Sequence, residues 1–351
     1  MKIAYVLPYP ELGGGNKVIV QHARLLAEAG DEVTLLGEGP APAWTTLPVA
    51  YHDYRGGRPP LPPQDLVIAT FWTTVAVAHR LDLGPVAHFC QGYEGALRHL
   101  EGVRGEIEAA YALALPTLVV SPHLGDFLRQ RFGTESRVVS PPLDPAFRPA
   151  WRWRPRRRPW VMVPGIFGAD VKDVSTALAA VRRLRAAGHA CRVLRLALLP
   201  LGDEERSLLA PDLYLCGIAP ATVPKVLRRC DLLLLASRSG EGFGLPLLEA
   251  MAAGVPAVAS RIPSTVFMAE DAAVLVPEGD AMAFAAAAAE LLTNPRRWRQ
   301  RRRSGLVAAR RFHADVIAPA LRSAVRWASG RARAGVAAAA ADEPRVAPLL
   351  D

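Results

Sequence analysis

Two glutamates, Glu241 and Glu249, stand eight positions apart in the stretch Ser239–Ser260, SGEGFGLPLLEAMAAGVPAVAS. Between them Gly242 and Gly244 bracket Phe243, so the backbone is free to bend and to approach a ligand closely. The apolar run from Leu245 reads as a short helix, whose first N–H groups lack internal partners and whose dipole turns its positive end toward the loop. An anion, phosphate above all, suits that position. Glu249 falls inside the helix between Leu248 and Ala250, where a lone carboxylate is costly to bury. Sugar or ribose hydroxyls are suitable partners, because a carboxylate accepts several hydrogen bonds at once. Any one of these features fits a plain crossover of a parallel sheet with Glu249 bonded to backbone; their coincidence favours a ligand site.

The same grammar recurs at the start of the chain. Ile3–Leu7 reads as a buried parallel strand, Gly13-Gly14-Gly15-Asn16 as a loop, Lys17–Ala29 as an amphipathic helix stopped by Gly30, and Val33–Leu36 as the next strand. This is how a doubly wound fold begins, although no G-x-G-x-x-G is present and no acidic residue closes the second strand. Further strands are expected at Asp65–Thr70, Pro85–Cys90 and Leu118–Ser121, with loop and one edge strand over 37–63. The strand at Pro85–Cys90 ends in His88-Phe89-Cys90-Gln91, polar residues where open α/β sheets bind ligands. A second series starts at Trp160–Val163, continues through a glycine loop to Lys172 and a helix over Val174–Ala187, and returns at Arg192–Leu199, Leu213–Cys216 and Asp231–Ala236.

At 351 residues the chain exceeds what one core usually supports, so two domains are expected. The net charge of +9 comes almost wholly from arginine, lysine being confined to positions 2, 17, 172 and 225. With the abundance of Ala, Pro and Gly, this reads as a coding bias, which weakens an inference to nucleic acid and makes each retained lysine a candidate for chemistry. Four unpaired cysteines fit neither a zinc site nor a disulfide framework. No signal-like or membrane-spanning run is present, so the expectation is a cytoplasmic protein, or one peripheral on the inner face of the cell membrane.

The segment E-G-F-G-L-P-L-L-E-A-M-A-A-G-V-P is similar to the Glu-x7-Glu motif of the retaining GT-B glycosyltransferases of family 4, closely over about twenty residues and more loosely from residue 1 to about 312. The resemblance implies an α/β fold of the GT-B kind, two doubly wound Rossmann-like domains facing across a cleft. It implies a nucleotide diphosphate sugar as donor substrate, a glycan, lipid-linked or small-molecule acceptor, retention of configuration by same-face attack, no cofactor and no metal; no Asp-x-Asp motif occurs. Glu241 would contact hydroxyls of the transferred sugar and Glu249 the donor ribose, with the amides of Gly242, Phe243, Gly244 and Leu245 around the diphosphate and sugar. Gly14 and Gly15 would face them across the cleft, and Ile218 would hold the base through main-chain groups. Lys172 matches the second cation of the family's Arg and Lys phosphate clamp, but the Arg position falls near Ile166-Phe167. The family's sugar-facing histidine aligns by strand length with Gln91, while His88 lies three residues earlier, and both stay candidates for the catalytic side.

The expected domain plan is 1–150 for the acceptor-side domain, 151–159 for a basic linker and 160–312 for the nucleotide-sugar domain. A helix over 313–328 can cross back to the first domain, and 329–351 form a disordered tail. The linker WRWRPRRRPW, five arginines with three tryptophans, reads as a tether, a lipid-headgroup surface or a base-stacking surface. The run Arg296–Arg303 reads as a solvated face or as an attraction to anionic membrane. Two rival functions share the plan: a nucleotide-sugar epimerase and a non-catalytic nucleotide-sugar-binding protein. Direct binding of nucleic acid is not expected.

Overall fold

The computed structural model describes residues 1–342, with side chains to residue 335. Strands β1 Lys2–Val6, β2 Glu32–Gly37, β3 Ala50–Asp53, β4 Leu66–Ala69, β5 Val86–Cys90, β6 Thr117–Val119 and β7 Ser136–Val138 form one sheet in the order β3-β2-β1-β4-β5-β6-β7. Strands β8 Trp160–Pro164, β9 Arg192–Ala197, β10 Leu213–Cys216, β11 Leu232–Leu235, β12 Ala257–Ser260 and β13 Val274–Val276 form the other, in the order β10-β9-β8-β11-β12-β13. Neighbouring strands in both sheets run parallel. Helices cover both faces, so central strands such as LVIA of β4 and LLLL of β11 are apolar without alternation and fully buried. Each sheet reverses its strand order beside its first strand, β1 against β4 and β8 against β11. A doubly wound sheet opens a crevice there, beyond the carboxyl ends.

Two features depart from the sequence reading. The first helix spans Gly14–Glu28, so the glycines are its opening turn rather than a loop ahead of it. The last helix, Ala314–Asp342, continues past residue 328 where a disordered tail was expected; residues 343–351 of that tail lie outside the described residues. The alanine-rich composition favours helix strongly. Packing adds to it: Ile317, Leu321, Val325, Ala328 and Ala332 are buried against the first helix and against β4, β5 and β6. Ser329 Oγ donates to the Asp65 carbonyl at 2.8 Å, and Arg331 and Arg333 pair with Glu135 and Asp65. Among the described residues the chain thus crosses between the domains twice, and the crossings touch, Leu143 N donating to Phe312 O at 2.6 Å.

The linker arginines separate into two kinds. Arg152 and Arg156 each reach the buried carboxylate of Asp231 at 2.8 Å, which also accepts from the Trp160 amide at 2.9 Å. Two guanidinium groups and two main-chain donors, Arg156 N at 3.2 Å being the second, offset the desolvation of that aspartate. Arg154, Arg157 and Arg158 remain exposed. Among the described residues no helix is long and apolar enough to cross a membrane.

Candidate functional site

The two crevices face each other and enclose a cleft of about 590 Å³. The first domain supplies Gly14, Gly15 and Lys17 from the start of helix Gly14–Glu28, and Gln91 from the end of β5. The second supplies Lys172 after β8, Ile218 after β10, and Glu241, Phe243, Gly244, Leu245 and Glu249 after β11. Ten of the twelve residues singled out from sequence therefore meet in one cavity.

Two helix starts open into it without side-chain caps. Helix Gly14–Glu28 begins after Gly13, and helix Leu245–Ala252 after Gly244, which adopts the left-handed conformation at φ 89°. In each case the first N–H groups and the positive dipole end are left to a ligand. The helix Val174–Ala186 differs: the Asp173 side chain accepts from Thr176 N and closes that terminus itself. Main-chain donors in the cleft thus come from one helix of each domain, face to face.

Two ion pairs hold the acidic groups. Lys172 Nζ lies 2.5 Å from Glu241 Oε2, and Ser237 Oγ donates to the same oxygen at 3.1 Å. Lys17 Nζ lies 2.6 Å from Glu249 Oε1 and 5.1 Å from the centre of the Phe147 ring. The first pair is internal to the second domain; the second bridges the domains. Lys17 was not among the expected site residues, although the scarcity of lysine already marked it. Among the described residues Lys17 and Lys172 are the basic side chains of the cleft lining, and Ile166, near which the clamp arginine was expected, lines it as well. Nearby, Arg195 is fully buried and spent on structure, bonding Glu205 and the carbonyls of Val163 and Gly165 beneath the loop that leads to Lys172.

Gly242 does not line the cleft, and its role is contact. A Cβ there would overlap the Gln91 carbonyl oxygen, and its own carbonyl accepts from Ser121 Oγ at 2.8 Å. The glutamate loop is therefore seated directly on the end of β5. Gln91 in turn donates through Nε2 to Gly15 O at 3.3 Å, which ties β5 to the first helix start.

His88 is a correction. It is 4% exposed within β5, edge-on to Tyr111 at 5.0 Å, and its Nε2 has no partner among the described residues. Burial lowers its pKa to about 4, so it is neutral near pH 7. Three residues along a strand that is buried on both faces place it inside the first domain, while Gln91 emerges at the strand end.

A smaller pocket of about 200 Å³ adjoins the cleft, sharing Tyr9, Gly15 and Gln91 with it and adding Asn16, Thr70 and Glu94. Asn16 is anchored through Nδ2 to the carbonyls of Tyr9 and Glu11, while its buried Oδ1 has no partner among the described residues. Glu94 accepts from the Tyr111 hydroxyl at 2.5 Å, and burial raises its pKa to about 7. Sequence reading passed over Glu94 because its burial follows from packing under Tyr111, seventeen residues away.

The comparisons with known proteins bear on this geometry. Residues 158–294 match a family model described as Glycosyl transferases group 1, which places that match on the second domain. By structure the chain is similar to sucrose-phosphate synthase from Thermosynechococcus elongatus, with a TM-score of 0.73 at 18% identity over 97% of this chain and 100% of that one. The Anabaena protein HepE in complex with UDP-glucose aligns with a TM-score of 0.73 at 15% identity, over 92% of this chain and 98% of that one. The fold is GT-B. In sequence, a phosphatidyl-myo-inositol mannosyltransferase of Mycobacterium leprae is 33% identical over 133 residues, which is 36% of either chain. A D-inositol 3-phosphate glycosyltransferase of Segniliparus rotundus is 36% identical over 148 residues, 37% of this chain and 33% of the relative. The matched stretch thus spans about a third of the length of these curated relatives.

Proposed function

We propose that the protein is a glycosyltransferase of the family 4 kind, which moves a sugar from a nucleoside diphosphate donor to an acceptor hydroxyl with retention of configuration and without a metal. The observation that carries this reading is the meeting of Glu241, Glu249, Lys172 and two uncapped helix starts in one interdomain cleft. The family match over the second domain, the UDP-glucose complex of HepE and the glycosyltransferase names of both relatives support it.

The chemical difficulty is the departure of a nucleoside diphosphate while positive charge builds on the sugar ring. Lys172 and the N–H groups around Gly244 and Leu245 meet the negative charge that develops on the leaving group, and they are fixed before the reaction begins. Gly14 and Gly15 offer the same kind of donor from the opposite wall. Glu241 takes hydroxyls of the transferred sugar and Glu249 the ribose, while Leu198, Ile218, Pro220 and Val223 give the base an apolar seat. Lys17 is the second cation, supplied by the first domain where the clamp arginine is missing. The adjoining pocket with Asn16 and Glu94 takes the acceptor, a glycan, a lipid-linked sugar or a small polyol.

Calorimetric titration with a panel of UDP-, GDP- and ADP-linked sugars, followed by product analysis, tests the reading. One donor should bind and its sugar should pass to an acceptor, or slowly to water, with the anomeric configuration kept. Failure of every nucleoside diphosphate sugar to bind would falsify the assignment, and a sugar changed while still attached to its nucleotide would replace it with epimerisation.

A further inference from the structure

The linker and the arginine-rich helix behind the second domain form one surface that the chemistry in the cleft does not use. Trp151 is 86% exposed and Trp153 54%, the first being the most exposed large apolar side chain among the described residues. They sit two residues apart, their rings in edge contact at 5.1 Å and nearly perpendicular. Arg154, Arg157 and Arg158 follow, exposed and without an ion-pair partner among the described residues, whereas Arg152 and Arg156 are held down by Asp231.

The helix Pro295–Ala309 lies against this segment. Arg302 donates to the carbonyls of Ala150 and Gly254, and Trp298 Nε1 donates to Asp231 O at 2.8 Å, so the same aspartate anchors linker and helix. Trp298, Gly305 and Ala309 face inward. The outward stripe is Arg296, Gln300, Arg303 and Val307, at helical spacing, with Arg299 half-buried at its flank and no acidic member. Arg297, off that stripe, is paired with Glu290.

We propose that this surface docks on an anionic phospholipid membrane. Two exposed indoles with arginines on either side match an interface where rings sit at headgroup level and cations meet lipid phosphates. Nucleic acid fits less well, because perpendicular rings offer no parallel faces for successive bases to stack on. The linker enters β8 at its amino end and the cleft lies at the carboxyl end, so docking leaves the cleft open. This inference does not rest on glycosyl transfer.

The test is sedimentation of the full chain with vesicles of phosphatidylcholine alone or mixed with phosphatidylglycerol, in low and in moderate salt. Binding is expected with the anionic vesicles and not with the neutral ones, and it should weaken as salt rises. Arg296→Glu with Arg303→Glu should reduce it by roughly tenfold or more, at about 1 kcal/mol per basic residue near the surface. Trp151→Ala with Trp153→Ala should reduce it as well and abolish the blue shift of tryptophan emission on adding vesicles. Both pairs are solvent-facing, so an unchanged melting temperature separates lost docking from lost folding. Binding equal on neutral and anionic vesicles, binding untouched in both variants, or retention by single-stranded DNA under conditions where vesicles are ignored would each overturn the proposal.

Discussion

The cleft holds two lysine–glutamate pairs of nearly equal length, and they differ in what they join. Lys172 and Glu241 are 69 residues apart and belong to one domain; Lys17 and Glu249 are 232 apart and belong to two. The first pair persists however the domains move, because both partners hang from adjacent loops after β8 and β11. The second exists only when the cleft is closed to its present width. One pair therefore belongs to the second domain's half of the cleft alone, and the other joins the two halves at their present separation.

The comparison can be broken at either pair. Lys172→Ala removes the second domain's own cation from the leaving group and should cost the most, about 10²-fold or more in kcat by analogy with the loss of one preorganised donor. A steady-state assay with the competent donor reads it, and a merely raised KM with unchanged kcat would reassign Lys172 to ground-state binding. Glu249→Ala should weaken donor affinity by roughly 1.5–3 kcal/mol through the loss of a charge-assisted hydrogen bond. Calorimetry measures that directly, and unchanged affinity removes Glu249 from the site.

A carboxylate with no cation sharpens the contrast. Glu94, buried under Tyr111, has its pKa raised from 4.5 to about 7, so it holds its proton in the folded state over a range where the unfolded chain has lost it. Its contribution to stability is complete below pH 4.5 and is lost as pH rises through 7. Melting curves across that window should show the loss, on the order of 3 kcal/mol, and Glu94→Gln should flatten it. A variant with the same slope as the parent would place the titration elsewhere.

Lys17→Met probes the interdomain pair and should have a smaller effect, about 1 kcal/mol of donor affinity for a partly exposed ion pair. Its signature is coupling: in a double-mutant cycle Lys17 and Glu249 should interact only while donor or closure holds the domains together. Equal coupling in an open and a closed state would erase the distinction between the pairs. The smallest effect belongs to EDTA, which should leave turnover as it was; strict dependence on Mn2+ or Mg2+ would overturn the metal-free scheme.

Most of the fold was legible because parallel strands buried on both faces are written as uninterrupted apolar runs, and the glycine loops punctuate them. The strands expected at Pro85–Cys90 and Leu213–Cys216 stand where their composition puts them, to within a residue. The second-domain half of the cleft was legible for a related reason: Glu241, Gly244 and Glu249 lie in one continuous segment, so local spacing carries their geometry. What depends on long-range packing was not legible. Gln91 and His88 differ by three positions along one strand, and only the sheet's place in the domain buries one and exposes the other. Lys17 shows no acidic partner in its own neighbourhood, and the role of Arg152 and Arg156 becomes visible only beside Asp231. Residues 329–342 lack a strong apolar pattern, but a helix already docked at Leu321 and Val325 needs few further contacts to continue.

The last helix has a consequence for how the molecule is made. It is numbered with the second domain but closes the core of the first, covering β4, β5 and β6 and the helix behind the glycine turn. During synthesis the second domain can fold once its sheet and the helix Ala281–Thr293, which brings Phe284, Ala288 and Leu291 to its core, have left the ribosome. The first, although translated earlier, must wait with an apolar flank uncovered until residues 317–332 have emerged.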